Sequence, residues 1–286
     1  MSIPDRPFIS YHLWSLVVPA AGQQRLHCQM RRGFIKARQH EPQVKALLKK
    51  ATASQRIGLL AQKGVYEFHN HPHLLKQDDG VEKVAQLLKL NYTTLEVQQR
   101  VLQILKNYHS SPLLSNKQII QLTRGDEGFP KAIAVEKQNY RFRLYATMDC
   151  VFIERDYNNL EGEAQPKSRL RTLHILDFKT GKSPFDRRQA LVYLVAARYL
   201  YPEYQAIASF YNLEVGKKSE LITISDSELD KIEQEMANIA KKHQQDIYKY
   251  QQKSHFFSII FPPNPGYHCR FCPFNSICQF SGVPKN

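Results

Sequence analysis

The sequence lacks any long apolar run. A membrane-spanning helix needs about 20 consecutive apolar residues, and no stretch of this chain approaches that length. The apolar residues at 13–21 form a short stretch that follows no clear cationic segment, so we do not expect a signal peptide. These absences predict a cytoplasmic protein with no membrane partner.

Acidic residues are scarce relative to basic ones. The 286 residues contain 40 Lys and Arg against 26 Asp and Glu, a net charge of +14. Such an excess favours polyanionic partners, nucleic acid first and anionic membrane second. The length is enough to bury a substantial core, as one large domain or two modest ones.

Cysteine is also rare, and its number is odd. Five cysteines in a chain of this length do not form the framework of a small secreted disulfide protein. Three of them lie close together as Cys269-x2-Cys272-x5-Cys278, which predicts a metal or metal-cluster site. Cys28 or Cys150 could supply a fourth thiolate. Because Cys150 falls on the apolar face of a predicted strand, where a core thiol is expected, we choose Cys28. The spacing does not separate zinc from an iron–sulfur cluster.

The residues present include a carboxylate and an amine at the end of a predicted strand. Residues 172–179 read as a strand, and within it Asp177 and Lys179 project from one face with Phe178 on the other. Asp149 lies on the polar face of an earlier predicted strand, and the two acids would converge on one site if the two strands are neighbours. Two carboxylates suit a hard divalent cation, and the ammonium suits the charge that develops at a phosphodiester. The alternative for an isolated Asp-x-Lys is an exposed salt bridge.

The helix predicted directly after this strand carries two further polar side chains. Gln189 and Tyr193 are four residues apart and therefore share one helix face. An amide and a phenol there could orient Lys179 or a phosphate. The alternative is two ordinary helix residues.

The order of predicted elements indicates a mixed α/β protein. Apolar residues recur at helical spacing over residues 43–68, and apolar and polar residues alternate as in one continuous strand over residues 142–152. The full order is helices, strands, helix, strands, helix, which favours an α/β or α+β core wrapped by helices.

Together these motifs resemble a known family. Asp149, Asp177-Phe178-Lys179, Gln189-x3-Tyr193 and the triple cysteine, in this order, are similar to the PD-(D/E)XK nuclease superfamily. Within it they resemble the RecB-like branch with an iron–sulfur cluster, which includes CRISPR-associated exonucleases and exonuclease V. The resemblance implies an α/β fold with a restriction-endonuclease-like core, a central mixed sheet flanked by helices.

The resemblance also implies an order of parts along the chain. Residues 1–135 would be a mostly helical part with Cys28 and His69, residues 136–224 the catalytic core, and residues 225–286 a helix and the cysteine cluster. We expect the three parts to form one compact unit.

The resemblance further implies two sets of ligands. Mg²⁺ or Mn²⁺ would be held by a helix-borne histidine, the two acids and a main-chain carbonyl: His69, Asp149, Asp177 and Phe178. A 4Fe–4S cluster would be held by Cys28, Cys269, Cys272 and Cys278 and would staple the chain ends together.

The histidine is where the sequence departs from the family pattern. The family usually has three residues between a glycine and this histidine, whereas four separate Gly64 from His69. His71 and His73 compete for the role, because all three lie near a helix end that Pro72 should impose.

The sequence therefore predicts a metal-dependent DNA nuclease that uses Asp149, Asp177, Lys179, Gln189 and Tyr193. The expected activity is a single-strand DNA exonuclease in DNA repair, recombination or CRISPR adaptation, with partner proteins from one of these pathways. The alternatives are a non-catalytic iron–sulfur or zinc subunit that binds nucleic acid, and a zinc-stapled protein of another activity.

Overall fold

The computed structural model describes residues 6–48, 52–154, 171–182 and 184–282. Within these residues the α-helices are α1 (Tyr11–Val17), α2 (Gln29–Lys36), α3 (Pro42–Leu48), α4 (Ala53–Asn70), α5 (Gly80–Leu87), α6 (Leu95–Ser110), α7 (Arg187–Leu200), α8 (Asp226–Gln252) and α9 (Phe257–Ile260). The strands are β1 (Phe8–Ser10), β2 (Gln118–Leu122), β3 (Ile133–Lys137), β4 (Tyr140–Tyr145), β5 (Cys150–Ile153), β6 (Arg171–Lys179), β7 (Tyr204–Asn212) and β8 (Lys217–Lys218). Across the described ranges, no helix is both long enough and apolar enough to cross a membrane.

The chain folds as two compact units that alternate along the sequence. The first unit comprises Met1–Ala51, Ala132–Tyr145 and Asp230–Asn286, and the second comprises Thr52–Lys131 and Ala146–Leu229. The division of the chain into three consecutive parts stays a prediction.

The first unit contains a small sheet and a buried ion pair. Its strands lie in the order β1-β4-β3, with β1 parallel and β3 antiparallel to β4. Arg32 of α2 is 1% exposed, and its Nη2 donates a hydrogen bond of 2.7 Å to Asp246 Oδ2 of α8. The Arg32 guanidinium also lies 4.9 Å from the ring centroid of Phe261. This pair connects the N-terminal and C-terminal segments of the unit.

The second unit is built on a five-stranded mixed sheet in the order β2-β5-β6-β7-β8. Strands β6 and β7 are parallel and are connected through α7, while the other neighbours are antiparallel. Helices α4, α5 and α6 share one apolar core with the buried side chains Cys150, Phe152, Leu176 and Phe178 of the sheet. The predicted α/β fold, a central mixed sheet flanked by helices, is confirmed.

Helix α4 follows directly from its sequence. Thr52 and Gln55 form a reciprocal capping box at its start. Its buried residues Ile57, Ala61, Val65 and Phe68 recur every three or four positions, as an apolar helix stripe requires. Gly64 permits close packing on α6, because an added Cβ would lie 2.2 Å from Leu105 Cδ2.

The strand predicted over residues 142–152 is wrong as a single element. The structure has β4 in the sheet of the first unit and β5 in the sheet of the second, with residues 146–149 between them. The alternation of apolar and polar residues indicates that a strand has one apolar and one polar face. It does not indicate that the chain leaves one sheet and joins another. Asp149 therefore lies immediately before β5.

Candidate active site

Asp177 is buried on β6 and held by two side chains of α7. Asp177 Oδ1 accepts a hydrogen bond of 2.7 Å from Tyr193 Oη and one of 2.8 Å from Gln189 Nε2. Helix α7 begins at Arg187 because Asp186 caps it, accepting a hydrogen bond from the Arg188 backbone N–H. This start places Gln189 and Tyr193 one turn apart and facing the strand that precedes them.

Lys179 lies beside Asp177 on the same face of β6. Its Nζ is 2.5 Å from Asp177 Oδ2 and donates to Gln189 Oε1 over 2.8 Å. The Lys179 side chain is 31% exposed, whereas that of Asp177 is 3% exposed. The ammonium can therefore meet a molecule from solvent while its carboxylate partner stays fixed.

Asp149 completes a pair of acids at the ends of β5 and β6. Cys150 is paired with Leu176 in this antiparallel ladder, so the next pair outward is Asp149 and Asp177. Asp149 Oδ2 accepts a hydrogen bond of 2.8 Å from the backbone N–H of Phe178. Burial and the charge of Asp177 raise the pKa of Asp149, because two carboxylates in one buried site repel each other.

These residues fit a divalent cation. Asp177 Oδ2 is buried and accepts no hydrogen bond of regular geometry, although Lys179 Nζ is nearby. Two carboxylates are hard oxygen donors of the kind that Mg²⁺ and Mn²⁺ take, and a bound cation would relieve their repulsion. Among the residues that the structure describes, no group of three or more His, Cys, Asp and Glu side chains is arranged to hold a metal.

The structure does not bring His69 to the two acids. His69 Nε2 is 2.6 Å from Tyr108 Oη of α6, and burial lowers the pKa of His69 to about 4. His71 is 3.6 Å from Glu67, and its ring packs against that of His73. No described contact joins any of these histidines to Asp149 or Asp177.

Gln62 of α4 is the helix side chain that hydrogen-bonds to Asp149. Its Nε2 donates hydrogen bonds of 3.0 Å to Asp149 Oδ1 and to Thr123 Oγ1. His69 is seven residues further along α4, roughly 10 Å at the rise of an α-helix. The sequence analysis missed Gln62, yet a signal exists: Gly58-x3-Gln62 has the family's three-residue spacing, with glutamine in place of histidine.

Gly125 makes room for Gln62. It has a φ of +83°, and a Cβ there would lie 2.7 Å from Gln62 Oε1. Glycine at this position therefore lets the backbone approach the Gln62 side chain closely.

The four cysteines of the predicted cluster lie in the first unit. Cys28, Cys272 and Cys278 pack against one apolar group formed by Met30, Phe34, Val44 and Phe274. Burial raises the pKa of Cys272, and the charges of Cys28 and Cys269 add to this rise. Cys28, Cys272 and Cys278 therefore share one apolar environment, whereas Cys150 is buried in the core of the second unit. In the described part of the chain these thiols do not form a group arranged to hold a metal.

A second hydrogen-bonded set of polar side chains in the second unit resembles a catalytic triad but is buried. His174 lies between Glu154 Oε1, at 2.6 Å from its Nδ1, and Ser209 Oγ, at 2.7 Å from its Nε2. Burial lowers the pKa of His174 to about 4, with Lys117 and Lys218 lowering it further and Glu154 opposing them. His174 is 0% exposed and Ser209 2%, so a substrate does not reach the serine. The role of these three side chains is structural.

Comparison with known proteins identifies one family over most of the chain. The model of the PD-(D/E)XK nuclease superfamily matches residues 36–279. No curated protein sequence matches the chain. The crystal structure of SSO0001 is 12% identical in sequence, and its match covers 88% of this chain and 99% of that one with a TM-score of 0.31. That score is too low to support any argument.

Proposed function

The chain belongs to the PD-(D/E)XK nuclease superfamily, and we propose that it is a divalent-metal-dependent single-strand DNA exonuclease. The observation that supports this best is the hydrogen-bonded set Asp177, Lys179, Gln189 and Tyr193, with Asp149 immediately before the adjacent strand β5. This set combines two carboxylates with one partly exposed ammonium, which suits hydrolysis of a phosphodiester.

Each residue of the set has a proposed role. Asp149, Asp177 and the Phe178 carbonyl would hold Mg²⁺ or Mn²⁺, which when bound polarises the phosphate and lowers the pKa of an attacking water. Lys179 Nζ neutralises charge that develops on the phosphate. Gln189 positions Lys179, and Tyr193 fixes Asp177 through Oδ1.

Gln62 enters the proposal as the positioning residue for Asp149. It donates to Oδ1 while the Phe178 backbone donates to Oδ2, so the carboxylate is held at both oxygens. Groups that orient ligands in this way tune the affinity of a metal site. We propose that Gln62, and not His69, is the helix-borne member of this site.

The cysteine cluster is proposed to hold a 4Fe–4S cluster through Cys28, Cys269, Cys272 and Cys278, with zinc as the alternative. Elemental analysis and the visible spectrum of an anaerobic preparation test this. We expect iron together with a coloured protein, since iron–sulfur clusters are held by cysteine thiolates and zinc is colourless. A colourless protein that contains zinc and no iron would contradict the cluster.

The proposed substrate follows from charge. A net charge of +14 favours a polyanion, and a basic surface holds a nucleic-acid strand largely without sequence preference. We place the activity in the cytoplasm, in DNA repair, recombination or CRISPR adaptation.

The digestion of end-labelled DNA tests the activity. Linear single strands carrying a label at the 5′ or the 3′ end, the matching duplex and a circular single strand are incubated with Mn²⁺ or Mg²⁺. We expect loss of the linear single strand with an intact circle. Cleavage of the circle would contradict exonuclease action.

A second candidate is a non-catalytic subunit that binds nucleic acid. The contact of Gln62, and not of a described histidine, with Asp149 favours it, because an amide is a weaker metal ligand than an imidazole. Strand binding without cleavage in any divalent metal would establish this alternative.

A further inference from the structure

The C-terminal segment of the first unit carries charge of a single sign. Residues 247–286 contain no Asp or Glu, although the whole chain has 26. The same residues include the cations Lys249, Lys253, Arg270 and Lys285. A segment of this composition attracts an anionic partner and has no acidic side chain of its own to oppose it.

Two large aromatic side chains of this segment are exposed and in contact. Tyr267 is 68% exposed and Phe271 75% exposed. Their ring centroids are 5.6 Å apart in an edge-to-face arrangement. The Arg270 guanidinium lies 5.3 Å from the Tyr267 centroid. We name Tyr267, Arg270 and Phe271 the aromatic platform.

The platform is fixed in place by the cysteine segment in which it lies. Residues Tyr267–Phe271 form a 3-10 helix, closed by hydrogen bonds from Cys269 N to Gly266 O and from Cys272 N to Cys269 O. Cys269 points inward and is 9% exposed. Because the backbone is already ordered, a ligand that uses the rings pays little conformational entropy.

The same combination recurs elsewhere in the segment. Lys253 Nζ lies 5.9 Å from the ring centroid of Phe256, and His255 packs on that ring at 4.1 Å. Phe256 is 38% exposed. Exposed rings that alternate with cations are what a single strand of nucleic acid needs, since bases stack on rings and phosphates pair with cations.

We propose that the aromatic platform docks single-stranded nucleic acid, with bases stacked on Tyr267 and Phe271 and a phosphate paired with Arg270. The proposal rests on the proposed function in taking DNA as the partner, and it adds a binding surface outside the residues of the candidate active site. A duplex does not fit, because its bases are already stacked and paired. A protein partner would bury the rings but would not need bases.

The test compares a strand with bases to a strand without them. The affinity for fluorescent oligodeoxythymidine and for an abasic strand of equal length is measured by anisotropy. The measurement uses the full-length Lys179→Ala protein without added divalent metal, so that the DNA stays intact. The platform variant carries Tyr267→Ala and Phe271→Ala together in the same Lys179→Ala background. Tyr92→Ala, which removes a ring that is 79% exposed in the second unit, is the matched control.

The platform variant should bind oligodeoxythymidine at least roughly tenfold more weakly than its parent and bind the abasic strand as well as the parent does. The Tyr92→Ala control should bind both strands as the parent does. Tyr267→Phe with Phe271→Tyr should restore binding. Equal affinity for oligodeoxythymidine, or equal losses on both strands, would overturn the proposal. The proposed function fails separately: an unmutated chain that cuts no DNA can still show the difference between the two strands.

Discussion

Replacement of Gln62 by alanine should weaken the binding of Mn²⁺. The change removes a hydrogen bond of 3.0 Å to Asp149 Oδ1 and another to Thr123 Oγ1. A hydrogen bond to a charged acceptor contributes about 1.5–3 kcal/mol, and loss of a group that orients a metal ligand lowers affinity by roughly 10- to 100-fold. We expect a loss of affinity within that range, since Asp149 keeps its hydrogen bond from Phe178.

The assay is titration of the metal-free candidate site with Mn²⁺, followed by the electron paramagnetic resonance signal of free Mn²⁺. Gln103→Ala is the matched control, because the Gln103 amide also lies on a helix and also donates a side-chain hydrogen bond, to Asn107 Oδ1 of α6. Gln62→His should bind Mn²⁺ more tightly than Gln62→Ala, since imidazole is itself a metal ligand.

The same titration decides between the two helix positions. His69→Ala removes the hydrogen bond to Tyr108 and should leave the affinity for Mn²⁺ unchanged. The reasoning is refuted if Gln62→Ala binds Mn²⁺ like the unmutated protein, or if His69→Ala loses affinity in its place.

Three further predictions concern stability and the cysteine site. The pKa of His174 is lowered from 6.5 to about 4, so the unfolded chain binds a proton that the folded chain does not. The contribution of His174 to stability should be full above about pH 6.5 and fall by up to roughly 3 kcal/mol toward pH 4. In urea unfolding, His174→Gln should remove this share of the loss at low pH and leave the share of His69, whose pKa is lowered in the same way. Arg32→Ala removes the buried cation that pairs with the buried Asp246 and leaves the exposed Lys242 as the ion-pair partner of Asp246 among the described residues. The change should cost about 3 kcal/mol by the same method. Cys269→Ser should lower the iron or zinc content found by elemental analysis, whereas Cys150→Ala should not.

Much of the candidate site was accessible from the sequence because it depends on local periodicity. Asp177 and Lys179 share a face through the two-residue period of a strand, and Gln189 and Tyr193 share one through the helical turn. Each relation needs only the type of element. The pairing of Asp149 with Asp177 needed one assumption more, that their strands are neighbours.

The parts that were missed depend on choices that the sequence leaves open. On α4, Gly58 is followed four residues later by Gln62, and Gly64 five residues later by His69. Because histidine is the expected ligand type, the sequence favoured His69, which the structure places near Tyr108 and not near the two acids. Only the packing of α4 against the sheet shows that Gln62 reaches Asp149. The break at residues 146–149 was missed for a similar reason, since β4 and β5 alternate alike although they belong to different sheets.

The most direct test of the account is the Mn²⁺-dependent digestion of linear single-stranded DNA by Lys179→Ala. Lys137→Ala is the matched control, because Lys137 is also a strand lysine that pairs with an aspartate, Asp230, in the first unit. We predict that the unmutated chain and Lys137→Ala digest the strand, and that Lys179→Ala digests it at least 100-fold more slowly, the order of loss when a preorganised charge is removed. Digestion by Lys179→Ala at the unmutated rate would contradict the account.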